Sequence, residues 1–343
     1  MKLAVVLFNL GGPDSPEAVE PFLQNLFTDP AIIRFPGFVR RPLGRWIAAR
    51  RASTARNIYA KIGGRSPILE ETEAQARALE TALARPGTEA RAFVAMRHWR
   101  PFSYTAAEAV AAWKPDKLVL LPLYPQYSTT TTASSFEDWN TAARQEGLAK
   151  PDTVICCYPK EEGFIAAEKT LLCAALAKRQ DRVDYRVLFS AHGLPKSVIA
   201  RGDPYQTQVE QTASAVAAVL ESCALEWRIC YQSRVGPLAW IEPATDAEIR
   251  RAGQEGKGVI VVPVSFVSEH SETLVELDSE YAKLARESGA PDYIRVPTVR
   301  TQDQFIGGLA RLVWQALSEQ TDRRERPAYC TNFRYCAFGG GRR

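Results

Sequence analysis

Val187-Leu188-Phe189-Ser190-Ala191-His192-Gly193-Leu194-Pro195 repeats, late in the chain, the pattern of Val6-Leu7-Phe8-Asn9-Leu10-Gly11-Gly12-Pro13. Each is an apolar, strand-like run broken at its C-terminal end by glycine and proline. The echo continues downstream: LVLLPLYPQYSTTTTAS from Leu118 is answered by VIVVPVSFVSEHSETL from Val259. Met96-Arg97-His98-Trp99 and Tyr231-Gln232-Ser233-Arg234 each follow an apolar strand. Strands are expected over 3–8, 91–96, 117–123, 153–158, 186–190, 226–231, 258–266 and 293–296, with helices over 70–83, 104–113, 208–221 and 271–287. Continuous apolar strands alternating with helices read as parallel sheets covered on both faces, an α/β fold. Two lobes of similar topology are therefore expected, over 1–150 and 151–301, with a cleft between the C-terminal ends of their strands. A C-terminal helix at about 302–318 is expected to pack back on the first lobe, and a tail over 320–343 to leave the globule.

Composition narrows the function. The chain has 343 residues, 46% apolar and 24% charged, with 21 glycines and 22 prolines, which excludes wholesale disorder and collagen. A net charge of +4 is too small to indicate nucleic-acid binding, and none is expected. No apolar run approaches ~20 residues, so no membrane span or targeting signal is expected, and the reading is cytoplasmic. Seven cysteines, an odd number, argue against a disulfide framework. There is no G-x-G-x-x-G, P-loop or G-x-S-x-G motif.

The three histidines, His98, His192 and His270, all fall at or just beyond predicted strand ends, where α/β proteins place their sites. On a helix over 271–287, at about 100° per residue, Glu276 and Glu280 fall near 40° and 80° from Glu272, with Glu269 near 60°. The opposite face is apolar, and no Lys or Arg enters before Lys283. Such a ladder is either a solvated face or one whose repulsion is relieved by a cation or shared protons. With His270 adjacent, the donors suit a borderline divalent ion such as Fe(II) or Zn(II). Tyr124 to Thr132 leads into a helix whose start Ser134 and Glu137 are spaced to cap; its hydroxyls either hold an anion or satisfy the loop. Residues 34–56, RFPGFVRRPLGRWIAARRASTAR, carry seven arginines and no acid among interleaved aromatic and aliphatic residues. That composition is expected of a segment touching a membrane surface, the alternative being an ordinary surface helix.

Together these residues resemble ferrochelatase. The likeness is carried by Leu10-Gly11-Gly12-Pro13, Ile62-Gly63-Gly64-Arg65-Ser66-Pro67, Tyr124-Pro125-Gln126-Tyr127-Ser128, Ser190-Ala191-His192-Gly193-Leu194-Pro195, Gly202-Asp203-Pro204-Tyr205, Tyr231-Gln232-Ser233-Arg234-Val235-Gly236-Pro237 and Phe266 to Leu274. It runs in order from about residue 3 to 315 and is similar to the protoporphyrin-using bacterial enzymes. The resemblance implies two Rossmann-like, chelatase-like lobes with a porphyrin in the cleft. It implies insertion of Fe(II) into protoporphyrin IX, releasing two protons, with no cofactor needed for the chemistry. His192 matches the family's proton acceptor or metal ligand. Glu272 matches the carboxylate facing it across the pocket, with Glu276 and Glu280 continuing as a metal or proton conduit. Leu10, Arg97, Tyr127, Trp240 and Phe266 would line the pocket, Arg97 reaching a propionate. His98, where some relatives carry an aromatic, would add a polar or ligating group. Several relatives hold a [2Fe–2S] cluster, for which Cys157, Cys330 and Cys336 are candidates with a fourth ligand unassigned. Adjacent Cys156 is expected to point to the opposite face of a strand. The rivals are a cobalt or sirohydrochlorin chelatase, a coproporphyrin-using relative, a tetrapyrrole carrier without catalysis, and, weakest, a nicotinamide oxidoreductase.

Overall fold

In the computed structural model, which describes residues 1–148, 151, 153–223, 225–234 and 236–318, the chain divides into two compact units. Among the described residues, the first comprises Met1–Tyr158 and Leu309–Ser318; the second is Pro159–Gly308. Each is built on a four-stranded parallel sheet.

In the first unit, β1 (Lys2–Asn9), β2 (Glu89–Met96), β3 (Lys117–Pro122) and β4 (Thr153–Val154) lie in the order β2-β1-β3-β4. The helices are α1 (Val19–Phe27), α2 (Gly37–Ala60), α3 (Ile68–Leu83), α4 (Ser103–Trp113) and α5 (Thr132–Gln145). The central strand is apolar on both faces because both are covered: Leu3 to Leu7 are 0% exposed. Alternate β1 residues Ala4, Val6 and Phe8 join Ala107, Val110 and Trp139 from α4 and α5 in one core, where the Phe8 ring meets Trp139 edge-on at 5.9 Å. Each such fully buried Leu, Val or Phe contributes roughly 1.5–3 kcal/mol.

In the second unit, β5 (Tyr185–His192), β6 (Glu226–Gln232), β7 (Gly258–Pro263) and β8 (Tyr293–Arg295) repeat the same order, β6-β5-β7-β8. They are joined by α6 (Glu162–Leu176), α7 (Lys196–Ile199), α8 (Tyr205–Ala217), a 3₁₀ turn (Ala218–Cys223), α9 (Thr245–Gln254), a π-helix (Glu272–Tyr281) and α10 (Ala282–Glu287). The last helix, α11, spans Asp303–Ser318. The repetition reaches the loops: Met96 and Tyr231 each donate a backbone N–H to the carbonyl of a proline in the loop that follows the strand, Pro101 and Pro243.

Three local expectations are corrected. The strand expected over 153–158 pairs only at Thr153–Val154; Ile155 to Tyr158 are apolar because they are buried, without joining a sheet. Ser134 does not cap α5, which begins at Thr132; its hydroxyl is instead committed to Asp29. The helix expected over 271–287 is π-helical through Tyr281 and α-helical only beyond it. Its wider, i→i+5 turn takes the carboxylates out of α register.

Candidate active site

The site is built at the C-terminal end of β5. His192 is the last residue of that strand, paired in register with Gln232 at the end of β6. Gly193 follows because the chain passes so close to β6 that a Cβ there would lie 2.8 Å from the Gln232 carbonyl oxygen. Leu194 accepts from the Ile241 N–H, and Pro195 bridges Trp240, which sets that indole beside the histidine loop. The His192 N–H donates to Ser265 Oγ at 3.2 Å.

His192 Nδ1 and Glu272 Oε2 are 2.8 Å apart, in direct contact rather than facing each other across a pocket. The bond orients the ring, and in the neutral imidazole it puts Nδ1–H on the carboxylate and leaves Nε2 as the acceptor. The His192 side chain is 39% exposed, so that nitrogen is reachable. Ser233 Oγ lies 3.2 Å from Glu272 Oε2 and also contacts Glu276 Oε2, while the Ser233 N–H donates to Glu276 Oε1 at 2.9 Å. Gln232 Nε2 (3.1 Å) and the Tyr281 hydroxyl (2.9 Å) complete the donors around Glu276. Tyr281 stands five residues after Glu276, and it takes the place that Glu280 would fill on an α-helix; Glu280 is exposed.

The four titrating groups differ in charge for stated reasons. Burial pushes the Glu272 carboxyl up, but the charge and hydrogen bond of His192, with His270 and Ser233, overcome it and hold it at about 2. Burial pulls His192 down, but Glu272, with a smaller part from Glu276, raises it above its ordinary value. Glu276 is raised, first by burial and then by the charge of Glu272, against hydrogen bonds from Ser233 and Tyr281. His270 is lowered, chiefly by burial against the opposing charge of Glu272, its Nε2 3.9 Å from Oε2. An imidazole on one carboxylate, linked through the Ser233 hydroxyl to a second carboxylate that holds a proton more readily, is a short proton relay.

Other expected residues fall elsewhere. Glu269 is not part of the ladder: it pairs with Arg295 at 2.7 Å and accepts the Thr298 N–H. Phe266 stacks obliquely on His270, ring centres 4.7 Å apart. In the first unit Arg97 is held by Asp29 (2.8 Å) and Ser134 (2.7 Å). The expectation that His98 offers a ligating group is corrected: its ring is 0% exposed, and burial lowers its pKa to about 3. Tyr127 is also buried, whereas Leu10, Arg97, Trp240 and Phe266 are partly exposed. Among the described residues, no three of His, Cys, Asp or Glu converge as a ready-made metal cage. Ser128 and Thr130 satisfy each other at 2.8 Å, the loop-satisfying alternative for that segment.

Cys156 and Cys157 correct a further expectation, since their sulfurs lie 3.5 Å apart rather than on opposite faces of a strand. Cys330 and Cys336 lie outside the described residues. Ser233 and Tyr281 were not singled out as site residues. The motif Tyr231-Gln232-Ser233-Arg234, echoing Met96-Arg97-His98-Trp99, was the available signal for Ser233.

A sequence model described as Ferrochelatase matches residues 2–317. The chain is 58% identical over 319 residues to a ferrochelatase of Phenylobacterium zucineum, covering 92% of each chain. It is 57% identical to that of Caulobacter vibrioides, covering 91% of this chain and 89% of the relative. Among solved structures, the fold matches CbiX, the terminal enzyme of sirohaem biosynthesis in denitrifying bacteria, at TM-score 0.50 and 13% identity, covering 92% of this chain and 100% of that one. It also matches the sirohydrochlorin chelatase SirB of Bacillus subtilis subspecies spizizenii in complex with cobalt, at TM-score 0.51 and 10% identity, covering 94% and 97%.

Proposed function

The chain belongs to the ferrochelatase family, and from that premise we propose that it inserts Fe(II) into protoporphyrin IX, the last step to protohaem, with His192 as proton acceptor and Glu272 as its partner. The observation that carries this reading is the 2.8 Å contact between His192 Nδ1 and Glu272 Oε2, which leaves Nε2 open. A free-base porphyrin carries two pyrrole N–H protons, and both must leave as the four nitrogens bind the metal. Neutral His192 takes a proton at Nε2, and the imidazolium so formed is stabilised by Glu272. The charge then passes through the Glu272, Ser233 and Glu276 contacts toward solvent, and the cycle repeats for the second proton. Iron enters as substrate, with Glu272 as its first ligand while His192 Nε2 stays free for the proton. Trp240 and Phe266, in the unit that carries His192, serve as apolar contacts for the macrocycle. Arg97 would bring to a propionate a charge already shared with Asp29.

A [2Fe–2S] cluster held by Cys157, Cys330, Cys336 and one further ligand is also part of the reading. It is supported by a second thiol within 3.5 Å of Cys157. Peripheral contact with a membrane surface on the cytoplasmic side is assigned to α2 and the turn before it. There Phe38 is 83% exposed and Trp46 56% exposed among the arginines. No helix of the described residues is long and apolar enough to cross a membrane.

The test is anaerobic incubation with Fe(II) and, in parallel, protoporphyrin IX, coproporphyrin and sirohydrochlorin, following the absorption change on metallation. Fastest turnover with protoporphyrin supports the reading; turnover confined to another tetrapyrrole, or binding without metallation, would sink it.

A further inference from the structure

Ser190, Thr245 and Gln232 form a chain behind the site's two carboxylates, and none of the three is more than 1% exposed, so solvent does not replace a contact among them. The second sheet brings them together. Leu188 of β5 packs with Ile249 and Ala252 of α9, and residues two apart on a strand share a face. Ser190 therefore points the same way and meets Thr245, the first residue of α9. Ser190 Oγ lies 2.8 Å from Gln232 Oε1 and 2.9 Å from Thr245 Oγ1.

The donors available fix every direction in that chain. An amide oxygen only accepts, so Ser190 spends its single hydrogen on Gln232. The Ser190 oxygen is left to accept, and Thr245 is its donor. With Oε1 held in this way, Gln232 turns Nε2 toward the π-helix, 3.1 Å from Glu276 Oε2 and 3.5 Å from the Glu272 carbonyl oxygen. A flipped amide would set its oxygen against both of those acceptors. Gln232 thus gives hydrogens to Glu276 and takes none. The Ser233 N–H and the Tyr281 hydroxyl occupy Glu276 Oε1. The Ser233 hydroxyl is the group that touches both carboxylates.

We propose that Thr245 and Ser190 are positioning residues for proton removal: they hold Gln232 as a fixed donor to Glu276, which leaves the Ser233 hydroxyl as the group that reverses. This rests on the proton-relay reading above. In the hand-over, Ser233 Oγ takes the proton held on Glu272 Oε2 as its own hydrogen passes to Glu276 Oε2. One O–H bond forms and one breaks at the serine, and the negative charge moves from Glu276 to Glu272. An amide free to flip would instead offer its oxygen to the protonated Glu276 and hold the proton there.

The test measures kcat and KM for anaerobic Fe(II) insertion by the full chain, on whichever of protoporphyrin IX, coproporphyrin and sirohydrochlorin the wild type metallates fastest. Porphyrin affinity is read by fluorescence titration and folding by far-UV circular dichroism. Thr245→Val keeps the shape and loses the donor; it should lower kcat about fivefold while KM and affinity stay within about twofold. Thr245→Ser should restore kcat. Ser190→Ala should lower kcat about tenfold, and the double variant no further, because both changes cut one chain. Gln232→Met removes the donor outright and should match Ser190→Ala, which keeps the test open if either hydroxyl variant fails to fold. A merely structural chain would lower the melting temperature and leave kcat unchanged. Folded Thr245→Val or Gln232→Met at wild-type kcat, or losses that multiply in the double variant, overturn the positioning role and leave the chelatase reading standing. A wild type that metallates none of the three tetrapyrroles overturns both.

Discussion

His192 presents one nitrogen to Glu272 and the other outward, so its charge state governs whether a pyrrole proton can be taken. Its pKa is raised above 6.5 by Glu272 against burial. The neutral base is therefore populated as pH rises, and the metallation rate should climb with a midpoint above 6.5. In Glu272→Gln the main charge that raises it is gone while burial and the smaller effect of Glu276 remain, so the midpoint should move down. A profile that does not move would break the link. The pair's effect on stability has the opposite limits. The depressed carboxyl contributes above its ordinary 4.5 and loses that contribution as pH falls toward about 2. The raised imidazole contributes fully below 6.5 and loses it as pH rises through its folded value. Thermal melts should thus show the pair's greatest contribution between 4.5 and 6.5, and Glu272→Gln should flatten it. At the next residue, Gly193→Ala meets the Gln232 carbonyl oxygen at 2.8 Å. It should cost about 1–3 kcal/mol of stability in denaturant titration and displace His192.

The π-helix and the loop after β6 act as one element. Ser233 supplies a hydroxyl to both Glu272 and Glu276, and Tyr281 supplies another across the i→i+5 turn. Ser233→Ala should lower kcat about tenfold, the size of one hydrogen bond to a charged group, with KM nearly unchanged. A fall in KM-dependent binding alone would place Ser233 with the substrate instead. This element also marks where reading the chain stops. Helical periodicity exposes the carboxylate ladder, but it assumes α geometry and sees only the helix's own residues. The repulsion is relieved by donors from Gln232 and Ser233, distant in sequence, and Glu269 is drawn off by Arg295. In the first unit, the Asp29, Ser134 and Arg97 contacts join three elements in the same non-local way. Asp29→Ala should cost about 2 kcal/mol in urea unfolding, below the value for a wholly buried pair, because Arg97 is 17% exposed and keeps Asp138 at 3.7 Å.

Across the molecule, the two sheets were legible because buried parallel strands are apolar on both faces, a pattern that Leu3 to Leu7 and Val259 to Val262 carry without interruption. The end of β4 was not, since Ile155 to Tyr158 are equally apolar and buried but run on beyond the two residues that pair with β3. His192 was legible from its place after an apolar strand; its direct bond to Glu272 depends on the tertiary approach of the π-helix. On the outer surface, α2 and the turn before it should bind anionic vesicles with an affinity that falls as salt rises. A double Phe38→Ser, Trp46→Ser variant should bind several-fold more weakly in cosedimentation while metallating soluble porphyrin normally. The central claim is tested most directly by anaerobic metallation of protoporphyrin IX with Fe(II), wild type beside His192→Ala. The account predicts turnover by the wild type and a loss of at least about 100-fold in the variant, with porphyrin binding retained. Equal rates in the two proteins would contradict it.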